Sequence, residues 1–156
     1  MRRDHFELEA HNIDWVETGG SPAEPKVVID FNGPKETLTD RLTDAEGNLL
    51  EASETDVTFR LQDPLDDPDA TGVVSVTDRI TGDFLLELNE AAEDVLRFVR
   101  AAREYGQSTD DGGRYSVVIR IDGETVATYS KSTFLVYDAN GSLLRSKSLI
   151  PSGVEL

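Results

Sequence analysis

Apolar and polar residues alternate with a period of two along several short stretches, the pattern of strands with one buried face. Phe6, Leu8 and Ala10 alternate with Glu7 and Glu9; Val27, Ile29 and Phe31 share a face in KVVIDF; Val57, Phe59 and Leu61 do so in DVTFRL. VVSVT and FLLELN flank DRITGD, which predicts a hairpin turning at Gly82. YSVVIRIDGETVATY predicts a second, with Asp122-Gly123 suited to a type I′ turn, and TFLVYDANGSLLRS a third, turning at Asn140-Gly141.

The period changes to that of a helix twice. Pro34 suits a first helical turn, with Leu38 and Leu42 on one face. From Asn89 to about Tyr105, Val95, Val99 and Ala102 form an apolar stripe widened by Leu96 and Phe98. There Asn89 is the expected cap, Glu90, Glu93 and Asp94 load the positive end of the dipole, and Gly106 is the expected stop. The fold class that follows is α+β: a mainly antiparallel, hairpin-linked sheet of about nine short strands with two helices packed on one face. Residues 1–156 read as a single domain, with an N-terminal strand and linker over 1–25 and a C-terminal tail over 148–156.

Charge narrows the function classes. The net charge is −16, and Arg outnumbers Lys by 11 to 4. Such a surface opposes phosphate-backbone binding, so no nucleic-acid partner is expected. It suits concentrated salt, where the Debye length falls to about 3 Å at 1 M and self-repulsion is weak. Cysteine is absent, which excludes disulfides, thiolate metal sites and cysteine nucleophiles. No stretch approaches the roughly 18 apolar residues of a membrane span. Behind Arg2-Arg3 there is no apolar core of a leader, and the expected location is cytoplasmic, with no membrane partner.

Candidate chemistry is sparse. Read from Asp67, the stretch up to Asp78 places Asp67, Asp69, Thr71, Ser75 and Asp78 at calcium-loop ligand positions with Gly72 at the sixth. Its strand-like flanks, Pro68, and Asp in place of the final Glu favour an acidic connector. His5 and His11 lie six residues apart near Asp4, Glu7 and Glu9, and read as exposed histidines before they read as a metal site or a base. No nucleophile elbow, Walker or Rossmann pattern occurs. No enzyme activity and no cofactor are expected.

The distribution of charge is more informative. Residues 1–111 hold 27 of the 31 acidic side chains, whereas 112–156 hold 4 against 5 basic ones. That near-neutral end carries three of the four tyrosines, including Tyr129 and Tyr137, and the apolar residues Leu149, Ile150, Val154 and Leu156. Depleted charge with tyrosine is the composition of an interface core, and also of central strands. Arg97, Arg100 and Arg103 recur every third residue on the second helix. They suit either an acidic partner or a phosphate, or the negative end of the helix with i, i+4 pairs of Glu93 with Arg97 and Arg100 with Glu104. The expected function is a non-catalytic protein-interaction or assembly module, through a protein partner or self-association, with contact residues Tyr129, Tyr137, Leu149, Ile150, Val154, Leu156, Arg97 and Arg100. The alternative is a divalent-cation or small-ligand binding domain using the Asp67–Asp78 loop.

RRDHFELEA, ASETDVTFRLQ, TGDFLLELN, VLRFVRAAREYG and FLVYDANGSLLRSKSLIPSGVEL together resemble a family of short acidic haloarchaeal proteins of unknown function. The resemblance spans nearly the whole chain. It implies a source and a compartment, and carries over no catalytic or binding residue.

Overall fold

Strand β2 (Lys26–Phe31) buries Val27, Val28 and Ile29 in succession. A strand shielded on both faces belongs in the middle of a sheet. The same holds for β6 (Tyr115–Ile121), where Val117, Val118 and Ile119 are all buried. These two strands lie side by side and parallel, with Val27 opposite Val117 and Ile29 opposite Ile119. Antiparallel neighbours β1 (Phe6–His11) and β7 (Glu124–Lys131) complete the order β1-β2-β6-β7. This is a computed structural model, and it describes residues 5–109 and 113–150.

A second sheet has the order β5-β4-β3-β8, from β3 (Thr55–Leu61), β4 (Thr71–Asp78), β5 (Phe84–Ala91) and β8 (Leu135–Tyr137). Its antiparallel ladders put Val57, Phe59 and Leu61 on one face with Val74, Val76, Leu86 and Leu88. That face meets the inner face of the first sheet, and both contribute to one core. The fold is therefore α+β, but with two four-stranded mixed sheets in place of one mainly antiparallel sheet of about nine strands. Alternation assigns faces and hairpins. The β2–β6 and β3–β8 pairs join strands distant in the chain and run parallel, so no local signal specifies them.

Three α-helices occur among the described residues: α1 (Trp15–Thr18), α2 (Lys35–Arg41) and α3 (Ala92–Thr109). α2 buries Leu38, with Leu42 buried just after it, as their spacing predicts. α3 starts three residues later than Asn89, because Asn89 and Glu90 are held in the β5 ladder opposite Val73 and Gly72. It also runs past Gly106. Val95, Phe98, Val99 and Ala102 are buried on the core side. Phe98 stands edge-on to Tyr115, 5.5 Å between centroids, and Phe134 lies 5.7 Å from Tyr115. This aromatic trio ties α3 to the first sheet and to the segment entering β8.

The turn at Asp122-Gly123 has positive φ at both residues, as a type I′ hairpin requires. The β4–β5 hairpin forms as expected, with a bulge between Val76 and Thr77. Leu85 and Leu86 are consequently both buried, and Phe84 pairs with Thr77 on the outer face. The chain turns back at Asn140-Gly141 as expected, with the Asp138 N–H donating to the Ser142 carbonyl at 2.9 Å and the Leu144 N–H to the Val136 carbonyl at 2.8 Å, but the pairing is too short to make a second strand. The Asp138 carboxylate accepts from the Asn140 and Ser142 N–H groups at 2.9 Å each, a single bridge joins Tyr137 to Leu143, and β8 pairs with β3.

Candidate binding cavity

Small side chains from both sheets fall opposite one another at one end of the core. Ala10, Val27 and Val117 form a row across the first sheet, and Val57 and Val74 face them from the second. Packed sheets stand roughly 10 Å apart, a gap that valine and alanine do not fill. The result is a cavity of about 250 Å³, walled also by Leu8 and Ile29 and roofed by Val95 and Phe98 of α3. An apolar cavity of roughly 150 Å³ already admits benzene.

One end of this cavity is polar. Glu90, Asp94, Asp14 and Arg97 line it. Glu90 follows Leu86 and Leu88 on the inner face of β5, so strand geometry aims a carboxylate where its neighbours supply leucine. Opposite it is Gly72, over which the Phe59 ring packs; a Cβ there would lie 2.5 Å from Phe59 Cζ. Burial, with the nearby Asp94 charge second, pushes the Glu90 carboxyl above its ordinary value, while a backbone hydrogen bond from Ala91 opposes the shift. Asp14 and Asp94 are exposed, which places the opening at this end.

Arg97 spans the opening. Its Nε donates to Glu17 Oε1 at 2.8 Å and its Nη2 to Asp14 Oδ1 at 2.8 Å and Glu17 Oε2 at 2.9 Å. The guanidinium thus holds α1, with Trp15, against α3, and the Glu17 and Asp14 bonds raise its pKa. Arg100 pairs with Glu104 at 3.5 Å, and Arg103 donates to the Ser146 and Ser148 carbonyls at 3.1 and 2.8 Å. All three arginines have partners within the molecule, and Arg97 reaches α1 instead of Glu93.

The near-neutral C-terminal residues separate by position. Tyr129 is 3% exposed on the inner face of β7, where burial, with Glu54 second, pushes its hydroxyl up to about 12. Leu149 is buried, bridging Phe134 with hydrogen bonds of 2.9 and 2.8 Å. Tyr137 is half-buried on the outer face of the second sheet, Ile150 is half-buried, and Val154 and Leu156 lie outside the described residues. Tyr137 shares an open groove with Phe84, which is 54% exposed, over a floor that includes Val73 and Ser75. Leucine and tyrosine content alone does not separate the buried members from Tyr137; their place in the ladder does.

The residues of the acidic loop do not converge. Asp67 and Asp69 are exposed, and the Asp67 carboxylate accepts from the Asp69 N–H at 2.8 Å. Thr71 and Asp78 are the two ends of β4, more than about 20 Å apart at strand rise. Ser75 is buried between them, and Asp78 accepts from the Ile80 and Thr81 N–H groups in the hairpin turn. Among the described residues no group of three or more His, Asp or Glu side chains is placed to hold a metal. No helix among them is long and apolar enough to cross a membrane.

The cavity and its acidic end were not visible in the alternation. The one signal in the sequence is Glu90 at a core-facing position of FLLELNEA, two residues after Leu88, which the helix pattern masks as a first-turn acid. No curated protein and no solved structure matches this chain. The model of a family of unknown function, DUF5793, matches residues 1–156, and the chain belongs to that family.

Proposed function

We propose that this chain is a non-catalytic ligand-binding domain that takes a small molecule into the cavity between its sheets. The observation that carries the reading is a preformed apolar space of about 250 Å³ that opens past a half-buried carboxylate, Glu90. Convergent polar groups at the end of an apolar pocket are the usual composition of a small-molecule site. Glu90 is also held in a state that costs stability when ionised, a feature common at functional positions. The net charge of −16 supports a place in the salt-rich cytoplasm of a haloarchaeon. Toluene, followed by methyl NMR in molar KCl, tests the reading: the methyls of Val74 and Val117 shift on saturation. If they stay fixed while the protein is folded, the cavity binds nothing of this kind.

A second reading is a protein-contact surface, through a protein partner or self-association. It rests on Phe84 and Tyr137, which flank the groove on the outer face of the second sheet. Aromatic side chains over small residues are the anchors that interfaces use. Light scattering of wild type and Phe84→Ser in molar KCl checks for self-association. A monomer in both eliminates the self-association form.

A further inference from the structure

We infer that the cavity takes a small amphiphilic amine, with its ammonium between Glu90 and Asp94 and its apolar body among the valines behind them. The inference rests on the cavity being a binding site, and adds the chemistry of what enters.

The argument is one of unmatched charge. Four charged side chains line the polar end: Asp14, Glu90, Asp94 and Arg97. Arg97 is already committed to Asp14 and to Glu17 through three hydrogen bonds of 2.8–2.9 Å. Glu90 and Asp94 make no ion pair among the described residues, and Asp94 acts on Glu90 as a repelling charge. A carboxylate or phosphate ligand would meet two acids that lack an ion-pair partner among the described residues, and an occupied guanidinium. A cation would satisfy both acids at once without disturbing the bonds that hold α1 in place.

The apolar walls set the other half of the ligand. Apart from the four charged residues, every side chain that lines the cavity presents only hydrocarbon, so a hydrated polyamine or a metal ion would leave that space unfilled. A ligand with one charged end and a ring or short branched chain fits both parts. The volume exceeds what benzene requires, and benzylamine is a suitable probe.

Benzylamine and the neutral, similarly shaped benzyl alcohol are titrated into the protein in buffered molar KCl at pH 7, by calorimetry and by the methyl resonances of Val74 and Val117. Benzylamine is expected to bind about tenfold more tightly, the difference expected of one charge-assisted hydrogen bond at a half-exposed site. In Glu90→Gln that preference collapses towards parity, and in Asp94→Asn it shrinks. Equal binding of the two probes to the wild type overturns the amine assignment and leaves the cavity reading intact. Absence of shifts with either probe removes the cavity reading as well. Circular dichroism of each variant confirms its fold, and Asp94, being exposed, provides a test if Glu90→Gln folds poorly.

Discussion

Lys131 Nζ donates to the carbonyl oxygen of Thr55 at 2.5 Å and to that of Ala52 at 2.7 Å, joining the edge strand of one sheet to the entry of β3 in the other. The lysine is buried, and its pKa is lowered by burial first and by Arg79 second, against an opposing pull from Asp56. A flexible side chain is thus used to close a seam between layers by occupying two main-chain acceptors.

Lys131→Met keeps the length of the side chain and removes both donors. The loss of unfolding free energy expected is about 2 kcal/mol, set by the stranded carbonyls and partly offset by the removed cost of burying charge. The pH dependence identifies the cause. Because the folded value lies below the unfolded one, the native state binds fewer protons between the two, and stability rises with pH through that window. Urea unfolding across the alkaline range detects that rise in the wild type and its loss in the variant.

Gly72 is required by space. A Cβ there would lie 2.4 Å from the Arg60 carbonyl oxygen and 2.5 Å from Phe59 Cζ. The backbone oxygen belongs to the paired strand β3 and has no freedom to retreat. Gly72→Ala is expected to cost about 3 kcal/mol, at the upper end for overpacking. A thermal midpoint unchanged from the wild type would show that Phe59 and β3 yield without cost.

What the sequence disclosed and what it hid follow from the range of each interaction. Faces of β1, β2 and β3, the Asp122-Gly123 turn and the α2 leucines depend on neighbours within a few residues, and all were legible. Asn89 reads as a helix cap by its type, yet Val73 and Gly72 across the ladder keep it and Glu90 in β5. The parallel pairing of β2 with β6 also depends on distant partners. The cavity is less legible still, since it arises from Val57 and Val74 meeting Ala10 and Val117 across two sheets. Tyr129 and Tyr137 both stand in strand-like stretches of the near-neutral end, but one faces the core and the other the outer groove.

Trp15, the single tryptophan, reports on the arm that Arg97 holds. Its indole N–H donates to the Asn12 carbonyl, and the α1 turn around it is bonded to α3 through Glu17 and Asp14. Arg97→Gln should change global stability little, because these pairs are solvent-screened. Local opening should increase nonetheless. Acrylamide quenching of Trp15 is expected to rise about twofold, and the same rise should occur in the wild type on adding salt that screens the pairs. Identical quenching in wild type and variant would mean that packing of Ile13 and Val16 holds the arm without Arg97.

Dilution of salt tests the charge distribution. With 31 acidic against 15 basic side chains, repulsion grows as the Debye length lengthens from about 3 Å at 1 M to about 10 Å at 0.1 M. The melting temperature is therefore expected to fall as KCl is lowered, and a screening origin requires NaCl and KCl to act alike at equal ionic strength. Full stability in dilute buffer, followed by circular dichroism, would show that the ion pairs of Arg79, Arg97 and Arg114 offset the surplus acids without help from salt.

Glu90 gives the sharpest division between stability and binding. Burial and Asp94 raise its pKa in the folded protein, so the native carboxyl holds a proton that the unfolded chain releases over the same window. The associated stabilisation is complete below the unfolded carboxyl value and is lost as pH rises through the folded one. Above the folded value the ionised group is thus a net cost, and there Glu90→Gln, which removes the charge and keeps the shape, should raise the melting temperature by about 2 °C. Below the unfolded carboxyl value wild type and variant should coincide. A residue whose removal stabilises the fold while abolishing the preference for an ammonium is retained for what it binds. If Glu90→Gln instead melts lower above the folded value, the carboxylate serves the fold, and the reason for its place beside the cavity is the Ala91 hydrogen bond alone.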